Sequence, residues 1–129
     1  MAEEHPNIAL VKCFDLRDPA SWREVMVEDV IWHYANPNLP DLNGDHVGRD
    51  GVRNFFQAIG ARSGGTFNIH PVSVTPIGNE LVVVQSWNTV VIEGDSVAVD
   101  VVVVWRIVRG VIVEVWDIVS GEAEVIHDG

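Results

Sequence analysis

The sequence feature that most limits the fold is the valine-rich run 96–108, which is apolar at nearly every position. Turns at 93–95 and 109–110 separate it from a further apolar run on each side. β-branched side chains fit a pleated strand better than a crowded helix, so the run predicts a β-strand. A strand with one face in water alternates apolar and polar residues, whereas only Asp100 and Arg106 interrupt this run. We therefore expect a central strand covered by the chain's own helices on one face and by a second subunit on the other.

Three other segments have the spacing of apolar residues that is typical of amphipathic helices. The first runs from Pro6 to Leu16, and the second follows the start signal Asp18-Pro19. The third begins near Asp50 and is expected to end at Gly60. The sequence thus predicts three short helices in its first half.

Two further strands and a long loop complete the chain. Residues 30–34 have strand composition, and 66–75 reads as a strand whose internal Pro71 predicts an edge position or a bulge. Residues 35–49 are crowded with Pro, Asn, Asp and Gly, which favour turns over a regular element. Loops of this length are commonly functional, so we interpret it as a rim or lid. Helices followed by an antiparallel meander indicate an α+β fold.

The charge of the chain excludes several kinds of partner. Nineteen acidic residues against eight basic ones give a formal net charge of -11. Such a charge repels phosphate backbones and anionic membranes, so we expect neither nucleic acid nor a membrane as a partner. At 129 residues the chain predicts a single domain, 1–129.

Cysteine, histidine and glycine patterns bear on cofactors and location. The single Cys13 excludes a disulfide within the chain and a thiolate metal cluster. The histidines lack metal-binding spacings such as His-x-His, and no glycine-rich phosphate loop is present. The first residues lack the features of a leader, and no apolar run reaches the length of a membrane span. We expect a cytoplasmic protein without a metal or an organic cofactor.

Four segments in order carry a family resemblance. Residues 7–11, 28–33 and 42–56, together with the ending 105–117, resemble the SnoaL-like proteins of the NTF2-like superfamily over nearly the whole chain. The resemblance implies an NTF2-like cone, with three N-terminal helices packed on a strongly curved, mainly antiparallel sheet around an interior pocket. It also implies homodimers that form through the outer sheet face. The superfamily includes polyketide cyclases, steroid isomerases, dehydratases and members without chemistry, so the site has to decide the activity.

The resemblance points to Asp117 on the last strand. An acid near the end of this strand is the general acid/base of SnoaL-like cyclases, and Asp117 matches it by position. In an apolar cone, desolvation would raise the pKa of this carboxylate toward neutrality. The alternative is that Asp117 pairs with Arg106 on the neighbouring strand or reaches solvent. Val115 stands where some relatives carry a histidine, which leaves fewer groups to stabilise an enolate oxygen.

The strand at 30–34 offers further candidates. His33 has a suitable intrinsic pKa for proton transfer, and Tyr34 or Trp32 can donate a hydrogen bond to a substrate oxygen. Strand alternation puts His33 on one side and the other two on the opposite side, so only one set lines the pocket. A structural role is the alternative for His33. The more distant ketosteroid isomerases have Asp-Pro after this strand, where this chain has Asn36-Pro37, and asparagine is not a base.

Other polar residues have alternative explanations as well. Asp100, if buried, either donates a hydrogen bond in the pocket or pairs across the sheet or the dimer interface. Gln85 and Trp87 share a face, which lines the pocket or stacks against a second subunit. The predicted catalytic residues are Asp117, His33 and Tyr34. The predicted ligand-binding residues are Trp32, His46, Phe56, Gln85, Trp87, Asp100 and Val115.

Two functions of different class remain open from the sequence. The first is a cofactor-free enzyme of the cyclase, isomerase or dehydratase type that acts on a small hydrophobic carbonyl compound. The second is a non-catalytic small-molecule-binding protein or dimeric scaffold of the same fold, which the valine-rich lining favours.

Overall fold

A computed structural model describes residues 4–92 and 94–126. The described residues form two α-helices, two 3₁₀ helices and one six-stranded sheet. In chain order, the elements are α1 (Pro6–Cys13), a 3₁₀ helix (Pro19–Glu24), β1 (Met26–Ala35), a second 3₁₀ helix (Pro40–Leu42), β2 (Gly44–Val47), α2 (Gly48–Ser63), β3 (Asn68–Ile77), β4 (Leu81–Ile92), β5 (Asp95–Val108) and β6 (Val111–Ile126). None of the helices in this part of the chain is long and apolar enough to cross a membrane.

The sheet is curved, mixed and mainly antiparallel, with the strand order β2-β1-β6-β5-β4-β3. Strands β3 to β6 form an antiparallel meander, whereas β1 joins β6 in parallel and pairs with β2 on its other side. The α+β fold class predicted from the sequence is confirmed. We call the sheet face that carries Trp32, Val115 and Trp105 the concave face, and the opposite face, with His33 and Val102, the outer face.

The valine-rich run forms β5, which pairs along its length with β4 and β6 as predicted. Its concave-face residues Val101 and Trp105 are buried, whereas Asp100, Val102 and Arg106 on the outer face are exposed. The chain itself therefore covers one face of this strand. Covering of the other face by a second subunit stays a prediction.

The helices differ in detail from the sequence expectation. Gly60 does not end the third predicted helix: α2 continues to Ser63 and closes at Gly64, which has a left-handed φ of 60°. The second predicted helix is a 3₁₀ turn of six residues, in which the Val25 N–H bonds to the Trp22 carbonyl three residues back. A sequence pattern of one turn does not distinguish these two helix types.

The segment 35–49 is not free of regular structure, which corrects the prediction of one long loop. It contains the second 3₁₀ helix and β2, which pairs antiparallel with β1 and sets His46 opposite Trp32. The backbone N–H and C=O groups at the free edge of β1 need hydrogen-bond partners. Residues 44–47 provide them and so form a strand, despite their turn-forming composition. Strand β3 forms the other edge of the sheet and has a register shift between Pro71 and Ser73, so the strand with Pro71 has both an edge position and a bulge.

The core lies between the concave face, α2 and the first 3₁₀ helix. Aromatic rings dominate it, and they contact one another at centroid distances of 4.6–6.4 Å. Its most deeply buried side chains are Trp22, Met26, Val30, Val52, Val82, Ile107, Ile112 and Val115.

Candidate functional site

The alternation of β1 decides which of its side chains face the interior. Trp32 and Tyr34 are buried on the concave face, where they lie opposite Val115 and Asp117 of β6. His33 lies on the outer face. The first strand therefore contributes its tryptophan and tyrosine, and not its histidine, to the surroundings of Asp117.

Asp117 is held on the concave face by an indole. The Trp32 Nε1–H donates to its Oδ2 at 3.2 Å. Desolvation by burial raises the pKa of Asp117 to about 7, although the hydrogen bond from Trp32 acts in the opposite direction. The residue opposite on β5 is Val103, while Arg106 is exposed and lies opposite Glu114. Pairing of Asp117 with Arg106, the alternative from the sequence, is therefore excluded.

Tyr34 stands directly opposite Asp117 on the neighbouring strand. Its burial, with a contribution from the charge of Asp117, raises the pKa of the phenol to about 12, so the hydroxyl remains protonated. The Asn36 Nδ2–H donates to this hydroxyl oxygen at 2.8 Å. Since the oxygen already accepts from Asn36, its own proton is available for a third group.

Further polar groups on the concave face were missed from the sequence. Ser86 and Asn88 are buried there, and the Ser86 hydroxyl donates to Asn88 Oδ1 at 3.1 Å. The indole N–H of Trp105 is buried and has no hydrogen-bond partner among the described residues. Alternate residues of a strand lie on the same face, and this rule could have placed all three residues on the concave face. It can be applied only once one residue of each strand has been assigned to a face.

His33 forms a separate cluster on the outer face. Its Nδ1 lies 2.6 Å from Asp45 Oδ1 and its Nε2 lies 2.6 Å from Glu114 Oε2. Burial opposes its protonation, but the hydrogen bonds to Glu114 and Asp45 raise its pKa above 6.5 overall. The ring also stacks on Trp116. The catalytic role predicted for His33 does not match this position, because strand alternation turns the imidazole away from Asp117.

Three predicted ligand-binding residues also lie on the outer face, which does not match a pocket role. Gln85 and Trp87 alternate with the concave-face residues of β4, and Trp87 stacks on His70 at 3.8 Å. Asp100 is exposed where the pairing of β5 with β6 shifts register between Val99 and Val101. The condition of burial, under which a pocket or pairing role for Asp100 was considered, is therefore not met within this chain.

The remaining predicted ligand-binding residues lie on the concave side. His46 stacks on Phe55 at 4.4 Å, and its Nε2 lies 2.9 Å from the Leu42 carbonyl oxygen. Phe56 of α2 contacts Trp32 edge-on at 4.9 Å. Val115 is fully buried in the sheet next to Trp32. These groups supply aromatic and aliphatic surface on the concave side.

The concave face is not completely filled. Val84, Val99, Val103 and Asp117 all point to this side and yet keep part of their surface open to solvent. The Asp117 side chain is therefore in partial contact with solvent on this face. Within residues 4–92 and 94–126, no group of three or more His, Cys, Asp and Glu side chains is arranged to hold a metal ion.

Together, the fold and this site define a class of small α+β cone proteins with a desolvated carboxylate between aromatic side chains. The family model described as "SnoaL-like domain" matches residues 8–115, and the chain belongs to this family. Comparison with curated proteins gives no match.

Solved structures share this fold. An NTF2-like protein of unknown function from Burkholderia pseudomallei K96243 is 24% identical with a TM-score of 0.76, covering 92% of this chain and 93% of that one. A putative SnoaL-like polyketide cyclase from Jannaschia sp. CCS1 is 20% identical with a TM-score of 0.71, covering 91% and 87%. TerC, co-crystallised with polyporic acid, is 24% identical with a TM-score of 0.69, covering 89% and 92%. At these identities the likeness establishes the fold alone.

Proposed function

We propose that the protein is a cofactor-free enzyme that uses Asp117 to move a proton on a small hydrophobic carbonyl compound. The observation that carries the proposal is the placement of the Asp117 carboxyl on the concave face, beside Trp32 and Tyr34, where burial raises its pKa to about 7. A general acid/base is most effective when its pKa lies near the working pH. Two of the similar folds support the substrate class, because one is described as a putative polyketide cyclase and another was co-crystallised with polyporic acid.

The proposed step is enolisation. The Asp117 carboxylate removes a proton from the carbon next to the carbonyl, and the electron pair of the C–H bond moves to the carbonyl oxygen. The Tyr34 hydroxyl, which stays protonated with a pKa of about 12, donates a hydrogen bond to that oxygen. Return of the proton from Asp117 to another carbon gives isomerisation. Attack of the enolate carbon on a second carbonyl group gives cyclisation, in which the π electrons of that carbonyl move to its oxygen and this oxygen takes the proton from Asp117.

The aromatic surroundings support the orientation of an apolar substrate. The rings of Trp32, Phe55 and Phe56 contact one another next to Asp117, and Trp32 also fixes the carboxylate by its hydrogen bond. Such surfaces bind flat apolar molecules with little loss of side-chain entropy. Burial desolvates most of the Asp117 carboxyl, which strengthens its interaction with a developing charge.

Exchange at the α-carbon tests the proposal without knowledge of the natural substrate. The protein is incubated with 1-tetralone in D₂O, and loss of the α-proton signal is followed by ¹H NMR. We expect catalysed exchange that rises with pH through about 7, and a loss of at least roughly 10²-fold in Asp117→Asn. Asp100→Asn, which removes an exposed carboxylate on the outer face, is the matched control and should exchange at the wild-type rate.

A second function is favoured by one observation, the fully aliphatic Val115 beside Asp117. A non-catalytic protein would bind the ketone but leave its α-protons unexchanged. Binding of 1-tetralone without exchange by the wild type contradicts the enzyme and favours the binding protein. Full exchange by Asp117→Asn contradicts the role of Asp117 as the base.

A further inference from the structure

A cleft of about 330 Å³ lies between α2 and the segment 16–19, away from Asp117. We call it the α2 cleft. Its apolar walls come from Leu16, Phe56, Ile59 and Phe67. The volume falls at the lower end of the range of about 300–1,000 Å³ that is usual for small-molecule sites.

The charge of the α2 cleft is opposite to that of the molecule. The chain carries 19 acidic residues and a net charge of -11, yet none of the residues that line this cleft is acidic, and two of them, Arg17 and Arg53, are arginines. The Arg17 Nη2 donates to the Phe67 carbonyl oxygen at 3.3 Å, and Arg53 pairs with the exposed Asp50 at 3.2 Å. A guanidinium has five N–H donors, so each arginine retains donors for a further acceptor.

A second cleft of about 760 Å³ extends this positive region. It shares Pro19 and Arg53 with the α2 cleft and adds Arg23 and Arg49, along with Glu28 and Asp50. Four of the eight basic side chains of the protein therefore line two adjoining clefts. Clefts that concentrate one sign of charge raise the local concentration of ligands of the opposite sign.

We infer that the α2 cleft binds an organic monocarboxylate with an aryl or alkyl body. The apolar walls hold the body, and the planar guanidinium groups of Arg17 and Arg53 bind the carboxylate at the mouth of the cleft. A purely polar anion leaves the apolar walls unused, and an apolar neutral molecule leaves the arginines unused. This site does not depend on the proton chemistry proposed for Asp117.

The test compares two probes with the same phenylpropyl body, the anionic 3-phenylpropionate and the neutral 3-phenylpropionamide. Isothermal titration calorimetry gives the affinities, and NMR shifts of the Gly60 and Phe67 amides locate the binding. We expect the acid to bind roughly fivefold more tightly than the amide, since partly exposed ion pairs contribute up to about 1 kcal/mol. Arg17→Gln and Arg53→Gln should each weaken binding of the acid roughly two- to threefold and leave binding of the amide unchanged.

Arg62→Gln is the matched control, because Arg62 lies on the same helix, is exposed and pairs with Asp41 outside the cleft. It should leave the affinity for the acid unchanged, as should Asp117→Asn. Equal affinity for acid and amide overturns the inference, as does an equal effect of Arg62→Gln or shifts that map outside the cleft. Failure of 3-phenylpropionate to bind the wild type overturns it as well. The enolisation assay is unaffected by any of these results, so the two proposals fail separately.

Discussion

At the scale of single residues, the carboxyl of Asp117 links the proposed chemistry to stability. Its pKa rises from 3.8 to about 7 in the folded protein, so the folded state binds this proton more tightly than the unfolded state. The contribution of the protonated Asp117 to the free energy of unfolding is therefore fully present below about pH 4. It is lost as the pH rises through about 7. At about 1.4 kcal/mol per pKa unit, the loss amounts to at most roughly 4 kcal/mol.

Asp117→Asn removes this ionisation and should reverse the usual effect of a core substitution. At pH 8 we expect the variant to unfold at a higher urea concentration than the wild type, with a free energy of unfolding that is larger by up to a few kcal/mol. At pH 4 the two proteins should have similar free energies of unfolding. Urea denaturation at both pH values measures the difference. Stability curves for the two proteins that run parallel from pH 4 to 8 would show that the carboxylate is not desolvated.

His33 is a base, so its protonated form is positively charged, and this charge stabilises the packing of β1 against its neighbours. Both ring nitrogens face carboxylates, so the protonated imidazolium joins β1 to Glu114 on β6 and to Asp45 on β2. Because its pKa is raised above 6.5, the stabilisation is present below pH 6.5 and is lost as the pH rises through the folded pKa. His33→Gln should cost about 1 kcal/mol at pH 6 and less at pH 9, in urea titrations at the two pH values. Glu114→Gln provides the check, since the NMR titration midpoint of His33 should fall in it.

At the scale of elements, the sequence predicted the features that depend only on residues close together in the chain. The period of apolar residues located α2, and β-branched composition located β5, because both signals are contained in one segment. Strand β2 was missed because its turn-forming residues become a strand only through pairing with β1. For a related reason, the sequence did not determine which face of β1 is buried. His33, Trp32 and Tyr34 are all residue types of intermediate burial, and the packing of α2 determines which of them are covered.

The hairpin between β5 and β6 gives a prediction at this scale. Arg109 and Gly110 both have positive φ, 53° and 79°, as a two-residue type I′ turn requires. Asparagine tolerates this conformation better than arginine, so Arg109→Asn should stabilise the protein by about 0.5 kcal/mol. Gly110→Ala should destabilise it by about 1 kcal/mol or more, since a Cβ is strained there. Thermal denaturation compares the variants, and stabilisation by Gly110→Ala would contradict the turn assignment.

At the scale of the whole molecule, the outer face of the sheet is the largest feature that a single chain leaves unexplained. Trp87, Val102 and Ile118 are 39%, 38% and 50% exposed there. The central row of Gln85, Val102 and Ile118 across β4 to β6 is uncharged, although the chain carries a net charge of -11, and the acidic Asp100 lies beside this row, opposite Trp87. We propose that a second copy of the chain covers this face, as the valine-rich composition of β5 predicts. An uncharged centre lets two acidic molecules approach, and a stable dimer needs about 800 Å² buried on each partner.

Substitutions at two isoleucines of nearly equal exposure distinguish this dimer from non-specific association. Ile118 is 50% exposed at the centre of the outer face, and Ile77 is 51% exposed at the end of the edge strand β3. Ile118→Glu should convert the dimer to a monomer, because it places a carboxylate against its symmetry mate in the apolar centre. Ile77→Glu should remain dimeric, since Ile77 lies on the same face but at its rim, and the variant places no carboxylate in the apolar centre. Light scattering after size exclusion measures the mass of each protein. A monomeric wild type, or an equal loss of mass in both variants, would exclude this face as the dimer interface.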